Sequence, residues 1–268
     1  MRTGRTGTAA ALAGALAFVA FTAPAAEAAD TGITVTDLVV NNGKPIVVGI
    51  SEEKSPDFSF RVTWPSGYTP ERVDAFPYLY HGTTAAAGAE DGGIYMSSVT
   101  LYDDSPTSAD CEGELYINPP YTLDSNSDAT TWKIAVAARL WDKTDTKIVA
   151  EEYLTGFGSV AVKRAARVTV NASPEPVTKG KAITVTGRAT RADWVKDAYT
   201  GFGDKLAKLQ FRKAGTSTYT TVKYVRANST GYLNTTVTAS ADGYWRWSFG
   251  ETETTGGATA AGDYVDVR

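Results

Sequence analysis

The stretch at residues 168–187, VTVNASPEPVTKGKAITVTG, constrains this chain more than any other. Val168 and Val170 alternate with polar residues and then run into Pro174 and Pro176. Two prolines so placed forbid a helix and remove two backbone donors. Lys179-Gly180-Lys181 supplies a turn, and Ile183 and Val185 resume the period of two before Gly187. A strand, a stiff extended joint, a turn and a second strand is how an immunoglobulin-like β-sandwich module begins. The stretch divides the chain into a first part and a following module of about 100 residues.

The amino terminus reads as a leader. Arg2 and Arg5 precede a short apolar run, and Ala26-Glu27-Ala28 fits the small-x-small cleavage pattern. The run is too short and too rich in alanine for a membrane span, and no twin-arginine pair precedes it. Residues 1–28 are therefore expected to be a cleaved signal peptide, leaving a secreted, extracellular chain that starts at Ala29. No second apolar stretch of spanning length follows.

Without the leader, 24 basic residues face 29 acidic ones, a net charge near −5. Charges of both signs are scattered without a block of one sign, which offers no footprint for nucleic acid or an anionic membrane. Cys111 is the only cysteine, so no internal disulfide forms, and burial is the state expected of its thiol.

The first part reads as strand after strand. Phe58, Phe60, Val62 and Trp64 alternate strictly with polar residues, and Phe76, Tyr78 and Tyr80 alternate again after Pro70. Trp132, Ile134, Val136, Ala138 and Leu140 make the longest such run and the expected central strand, with Lys133 and Arg139 on its other face. No amphipathic helix stands out. Residues 82–131 read as long loops with small strands near Met96 and Leu115, the kind of segment that carries binding on a β scaffold, or else as an insertion without order. In the module, Ala207, Leu209 and Phe211 alternate, and Asp242-Gly243 turns the chain into YWRWSF. There Trp245, Trp247 and Phe249 share one face, expected to be core, while Tyr244, Arg246 and Ser248 share the other.

At these residues the chain resembles a known group. VTVNASPEPVTKGKAITVTG, LQFRKAGTSTYTTVK, DGYWRWSF and the terminal AAGDYVDVR are similar to the C-terminal module of small secreted proteins of Streptomyces and related actinobacteria. VVNNGKPIVVG and FPYLYHG resemble the front half of the same group. The resemblance implies export and tandem immunoglobulin-like sandwiches. Some members are named calcium-binding, and the resemblance carries no catalytic residues.

The residues bear on five chemistries. A Ser-His-Asp triad would need His81, the only histidine, but no nucleophile elbow accompanies it, and one His with one Cys makes no zinc site. A glycoside hydrolase would need two carboxyls about 5–10 Å apart, for which Glu112 with Glu114 and Glu151 with Glu152 are the pairs available. Calcium takes six to eight oxygens from acidic loops. Its candidates are Asp103, Asp104 and Asp110, with Glu90 and Asp91 brought to the same end of the sandwich by an intervening strand. Sugar stacking needs exposed aromatic faces, for which Trp194 and Tyr199, on an irregular loop, are the candidates, with Trp141 behind them.

The expected architecture is all-β: two immunoglobulin-like sandwiches in tandem, residues 29–165 with long loops and residues 166–268, with few contacts across the joint. The expected function is that of a secreted, non-enzymatic binding or structural module with no cofactor. Calcium binding is the alternative, and polysaccharide binding or hydrolysis the one after it. The partners left open are a cell-wall polysaccharide or another extracellular protein, nucleic acid and a membrane span are not expected, and a monomer is.

Overall fold

The computed structural model describes residues 30–268, and of Asp103 and Asp104 only the backbone. The expected leader and its cleavage point lie outside the described residues. The chain is nearly all β and forms two sandwiches, with one strand ending at Arg164 and the next beginning at Ala166 where the first gives way to the second.

The first is built from β1 (Thr34–Val40), β2 (Ile46–Val48), β3 (Asp57–Thr63), β4 (Val73–Tyr80), α1 (Ala85–Glu90), β5 (Ile94–Ser105), β6 (Ser108–Leu115), α2 (Pro119–Thr122), β7 (Thr131–Trp141), β8 (Ile148–Leu154) and β9 (Ser159–Arg164). Its strands run β1-β3-β6-β5-β4-β7-β9-β2, with β8 on β7 beyond the end of β9. Both arms of this path send side chains into one core, so the sheet doubles into two layers. Phe58, Phe60 and Val62 enter from β3, and Trp132, Ile134, Ala138 and Leu140 from β7. Strict alternation dictates this, because successive side chains of a strand point to opposite faces. On the outer face of β4 and β7, Tyr78, Tyr80, Ala135 and Ala137 form a smaller cluster with Ala85 and Ala89 of α1.

Residues 82–131 hold more regular structure than the long loops expected there, because the small strands expected near Met96 and Leu115 are parts of longer ones and a short helix precedes them. Thr84 caps α1 by accepting a hydrogen bond from Ala87 N, and β5 with β6 forms a long antiparallel hairpin. The inward residues of β6 include Ala109 and Cys111, which carry little apolar signal, and Gly113. A Cβ at Gly113 would strike Ser98 O and, at 2.5 Å, the Phe58 ring. Glycine there allows β5, β6 and Phe58 to close together. Cys111 is buried, as expected.

The second sandwich continues with β10 (Ala166–Val168), β11 (Asn171–Ser173), β12 (Ala182–Asp193), β13 (Ala198–Gly201), β14 (Leu206–Lys213), β15 (Thr220–Arg226), β16 (Tyr232–Thr238), β17 (Gly243–Phe249), β18 (Ala258–Thr259) and β19 (Asp263–Val265). One layer centres on β12, flanked by β10 and β11 on one side and β13 and β16 on the other. The facing layer runs β15-β14-β17, with β18 and β19 on the far side of β17. Trp245, Trp247 and Phe249 are all buried between the layers, as their alternation predicts. The Trp247 ring lies over Gly187, where an added Cβ would come within 2.6 Å of it, and its indole N–H donates to Thr186 O at 3.0 Å.

Candidate functional site

The joint between the sandwiches comes first, because two expected site residues lie in it. At twelve residues β12 is longer than its pairing with β16, and its far end, with β13, reaches the first sandwich. Trp194 is only 4% exposed and belongs to the first sandwich's core, with Ala192 beside it. Its indole N–H donates to Gly49 O at 2.8 Å, and its backbone N–H donates to Asn126 Oδ1 at 3.0 Å. Asn126 in turn donates to Asp193 Oδ1 at 2.8 Å. Tyr199 packs against the same core and lies 3.6 Å beneath the Arg167 guanidinium. Trp194 presents no face to a sugar, which corrects the stacking expectation there, and Arg167 covers one face of the half-buried Tyr199. An irregular loop with a tryptophan looks exposed in sequence because the cavity that receives it belongs to residues far away.

The same region corrects the expectation of few contacts across the joint. Ala192 N donates to Ala165 O, Arg164 N to Thr254 O and Gly256 N to Arg164 O. The Arg164 guanidinium bonds Ala192 O, and burial, followed by the neighbouring Arg191 charge, pulls its pKa down to about 10. Lys163, also buried, pairs with Glu251 at 3.1 Å.

The acidic candidates are not gathered. β5 begins just after Glu90 and Asp91 and carries Asp103 and Asp104 near its other end. A strand advances about 3.3 Å per residue, so the nine steps from Ile94 to Asp103 put the two groups on the order of 30 Å apart. A single intervening strand separates its ends rather than joining them. Asp110, across from Tyr102, has its carboxylate 2.8 Å from the Arg61 guanidinium. The carboxylates of Asp103 and Asp104 lie outside the described residues. Among the described residues no three His, Cys, Asp or Glu side chains stand close enough to hold one metal ion.

The catalytic candidates are placed as follows. His81 stands 3.4 Å from Asp128 and edge-on to Trp132 at 4.2 Å, while Asp128 also accepts from Ser125 N. Glu151 is tied to Arg139 at 2.6 Å, and Glu152 accepts from Thr31. Glu112 and Glu114 share the outer face of β6, as a strand there requires. With Asp57, Ser59, Ser98 and Thr100 they line an open trough of about 520 Å³. Trp141 donates to Asp74 Oδ2 at 2.8 Å, and burial holds that carboxyl above its ordinary pKa.

A different surface emerges on the second sandwich. The faces of β14 and β17 that turn away from the core carry Lys208, Gln210 and Arg212, and Tyr244, Arg246 and Ser248. Pairing puts Arg212 beside Tyr244, Gln210 beside Arg246, and Tyr244 beside Tyr264 of β19. The Arg246 guanidinium lies 3.6 Å from the Tyr219 ring centre, and that of Arg212 lies 4.1 Å from Tyr244. Gln210 Oε1 accepts from Arg246 Nε at 2.9 Å, and Thr216 O accepts from Arg212 Nη1. Tyr264, 41% exposed, and Tyr224, 58% exposed, flank the two stacks. Among the described residues no carboxylate forms an ion pair with Lys208, Arg212 or Arg246. The alternation of Tyr244, Arg246 and Ser248 was a signal for this face, but the partners from β14, β15 and β19 come from nonlocal register.

The charge is also less even than its scatter along the chain suggests. Residues 30–165 carry ten basic and twenty acidic side chains, and residues 166–268 carry fourteen and nine. The first sandwich is acidic and the second basic.

The fold and this face define an all-β protein of two sandwiches with a basic, tyrosine-rich sheet surface. No family model and no curated protein matches the chain. Among solved structures it is similar to the full ectodomain of mouse nectin-like molecule 4, at 12% identity and a TM-score of 0.25, over 88% of this chain. It spans 64% of that ectodomain's length. It is also similar to the D0–D1 domain of intimin, at 12% identity and TM-score 0.28, over 86% of this chain and 98% of that one. The D00–D0 domain of intimin matches at 13% identity and TM-score 0.28, over 87% and 98%. Among the described residues no helix is long and apolar enough to cross a membrane.

Proposed function

We propose that the chain is an exported, non-enzymatic binding module that holds an extracellular polymer on the outer face of β14 and β17. The observation behind this is the pair of guanidinium groups laid flat on tyrosine rings, with no carboxylate neutralising them. A stacked guanidinium has already lost most of its rotamer freedom, so less is lost when a partner binds. Among the described residues the face carries no histidine or cysteine, and the carboxylates beside Tyr264, Asp242 and Asp266, accept from Val267 N and Arg268 Nε, an arrangement that favours binding over reaction. Lost solvation first, and the Asp242 and Asp266 charges second, push the Tyr264 phenol above its ordinary pKa, which keeps it a neutral hydrogen-bonding group. Export rests on the leader pattern of residues 1–28 and on the resemblance to secreted actinobacterial proteins.

The test is retention of the purified protein on a panel of immobilised neutral and acidic polysaccharides, with reducing ends assayed in parallel. Wild type should be retained without releasing sugar. A Tyr244→Ala/Tyr264→Ala variant with an unchanged melting temperature should be retained at least tenfold less. Equal retention of the variant, or steady release of reducing ends, would remove this reading.

A further inference from the structure

We infer that the ligand of this face is a carboxylate-bearing polysaccharide, a chain of uronic acid type; the inference rests on the binding role proposed above. Lys208 and Arg212 are four residues apart on β14, about 13 Å along the strand. Arg246 sits between them on the neighbouring strand, opposite Gln210. The three cations thus form a staggered line at intervals of about 6–7 Å in the strand direction. That arrangement suits a repeating anion rather than one compact charge.

The kind of anion follows from how the guanidiniums are held. Arg246 lies against Tyr219 with its Nε fixed by Gln210, and Arg212 lies against Tyr244 with one terminal nitrogen fixed by Thr216. A guanidinium pinned by one ring face and one edge offers its remaining N–H groups in a fixed plane. A planar carboxylate matches that fork with two parallel hydrogen bonds. The flanking groups say what carries the carboxylate. Tyr224 and Tyr264 are exposed aromatic rings on either side of the cation line, and Ser248 and Thr259 stand between β17 and β18 with their hydroxyls 2.9 Å apart. Exposed rings pack against the C–H faces of pyranoses, and hydroxyls meet their oxygens. A bare polyol phosphate would leave the rings unused.

The net charge of the chain is negative, yet the ligand need not feel it. Beyond about 8 Å exposed charges are largely screened at physiological salt, so the acidic first sandwich acts locally. Its outer face, with Asp57, Glu112 and Glu114, repels a polyanion and confines it to the second sandwich. The same trough is a possible counter-surface for the cation line in a second copy, which would build an open head-to-tail chain. That trough also carries the exposed ring of Tyr102, so self-association through it is one of the outcomes the experiment distinguishes.

The experiment compares polygalacturonate with the same polymer methyl-esterified, and with poly(glycerol phosphate), by titration calorimetry against the full mature chain. Polygalacturonate should bind, and its affinity should fall about tenfold or more between 50 and 200 mM NaCl, as expected when about three anions are neutralised. Esterification should cost at least tenfold. Arg212→Gln/Arg246→Gln should cost at least tenfold at unchanged melting temperature, and Lys208→Gln a smaller factor with a shallower salt slope. Equal binding of the esterified polymer, without a salt slope, would overturn the uronate assignment and leave the binding module standing. Preference for poly(glycerol phosphate) would overturn it in favour of phosphate. If no polysaccharide binds and sedimentation shows self-association that Arg212→Gln/Arg246→Gln abolishes, the occupant is a second copy. If nothing binds and nothing associates, the binding role itself falls.

Discussion

The two sandwiches fill their cores in different ways, although both are built on strands of strict alternation. Every residue in the core of the second comes from positions after 165, with Trp245, Trp247 and Phe249 at its centre. The core of the first draws on its own β3 and β7 but also takes in Ala192 and Trp194, with Tyr199 packed against them. One half is closed by its own sequence, and the other borrows a plug from its neighbour. Sequence continuity therefore marks where the chain passes from one sandwich to the next, but not where a core is complete.

That asymmetry gives the largest effect to look for. Residues 166–268 made alone should fold cooperatively with a β-type circular dichroism spectrum, because nothing in their core is missing. Residues 30–165 made alone should be less stable than the same sandwich in the whole chain by about 5 kcal/mol, from ~200 Å² of indole surface at ~25 cal/mol/Å². The comparison breaks if the first fragment melts where the whole chain does, or if the second fails to fold.

A finer cut removes one hydrogen bond at the plug. In Trp194→Phe most of the ring's packing survives, but the buried Gly49 carbonyl loses its indole donor. Leaving a buried acceptor unmet costs about 1–3 kcal/mol. Denaturant melts followed by probes in each sandwich should show the loss in the first and little change in the second. An equal shift in both would mean that the halves unfold as one unit.

What the sequence showed of this arrangement depended on which residues carry the signal. β3, β7 and β17 are legible because large apolar side chains mark every second position. The β5–β6 hairpin shows in sequence only as small strands near Met96 and Leu115, because Ala109, Cys111 and Gly113 occupy inward positions of β6 that larger side chains mark elsewhere. Helix α1 is six residues of mostly alanine, too short to show a period. The site is harder still. Arg246 and Tyr219 are 27 positions apart in sequence and 3.6 Å apart in space, a proximity that the β14–β15 and β14–β17 pairings create together. Trp194 and Tyr199 stood out as aromatic residues on a loop, and no local pattern says that a loop will enter a neighbour's core. Of the tyrosines on the proposed face, only Tyr244 shares its strand with the buried tryptophans.

The smallest expected effect concerns the charge beside the plug. Asp193 holds Asn126, and Asn126 holds the backbone of Trp194, so the carboxylate acts on the first sandwich through one intermediary. Its pKa is lowered, chiefly by the Asn126 hydrogen bond and further by the Lys196 and Arg164 charges, against a smaller opposing effect of burial. A folded-state pKa below the unfolded one means that ionised Asp193 stabilises the fold. That stabilisation is fully present above the unfolded value near 3.9 and is lost as pH falls through the lower, folded value. Asp193→Asn keeps an oxygen for Asn126 but removes the charge. Its melting temperature should lie slightly below wild type at pH 7, and the gap should close as the pH drops below the ordinary carboxylate range. Thermal melts of both proteins across that range decide the point. A gap that stays constant to the lowest pH would mean that the substitution disturbs packing, and that the charge at the joint contributes nothing.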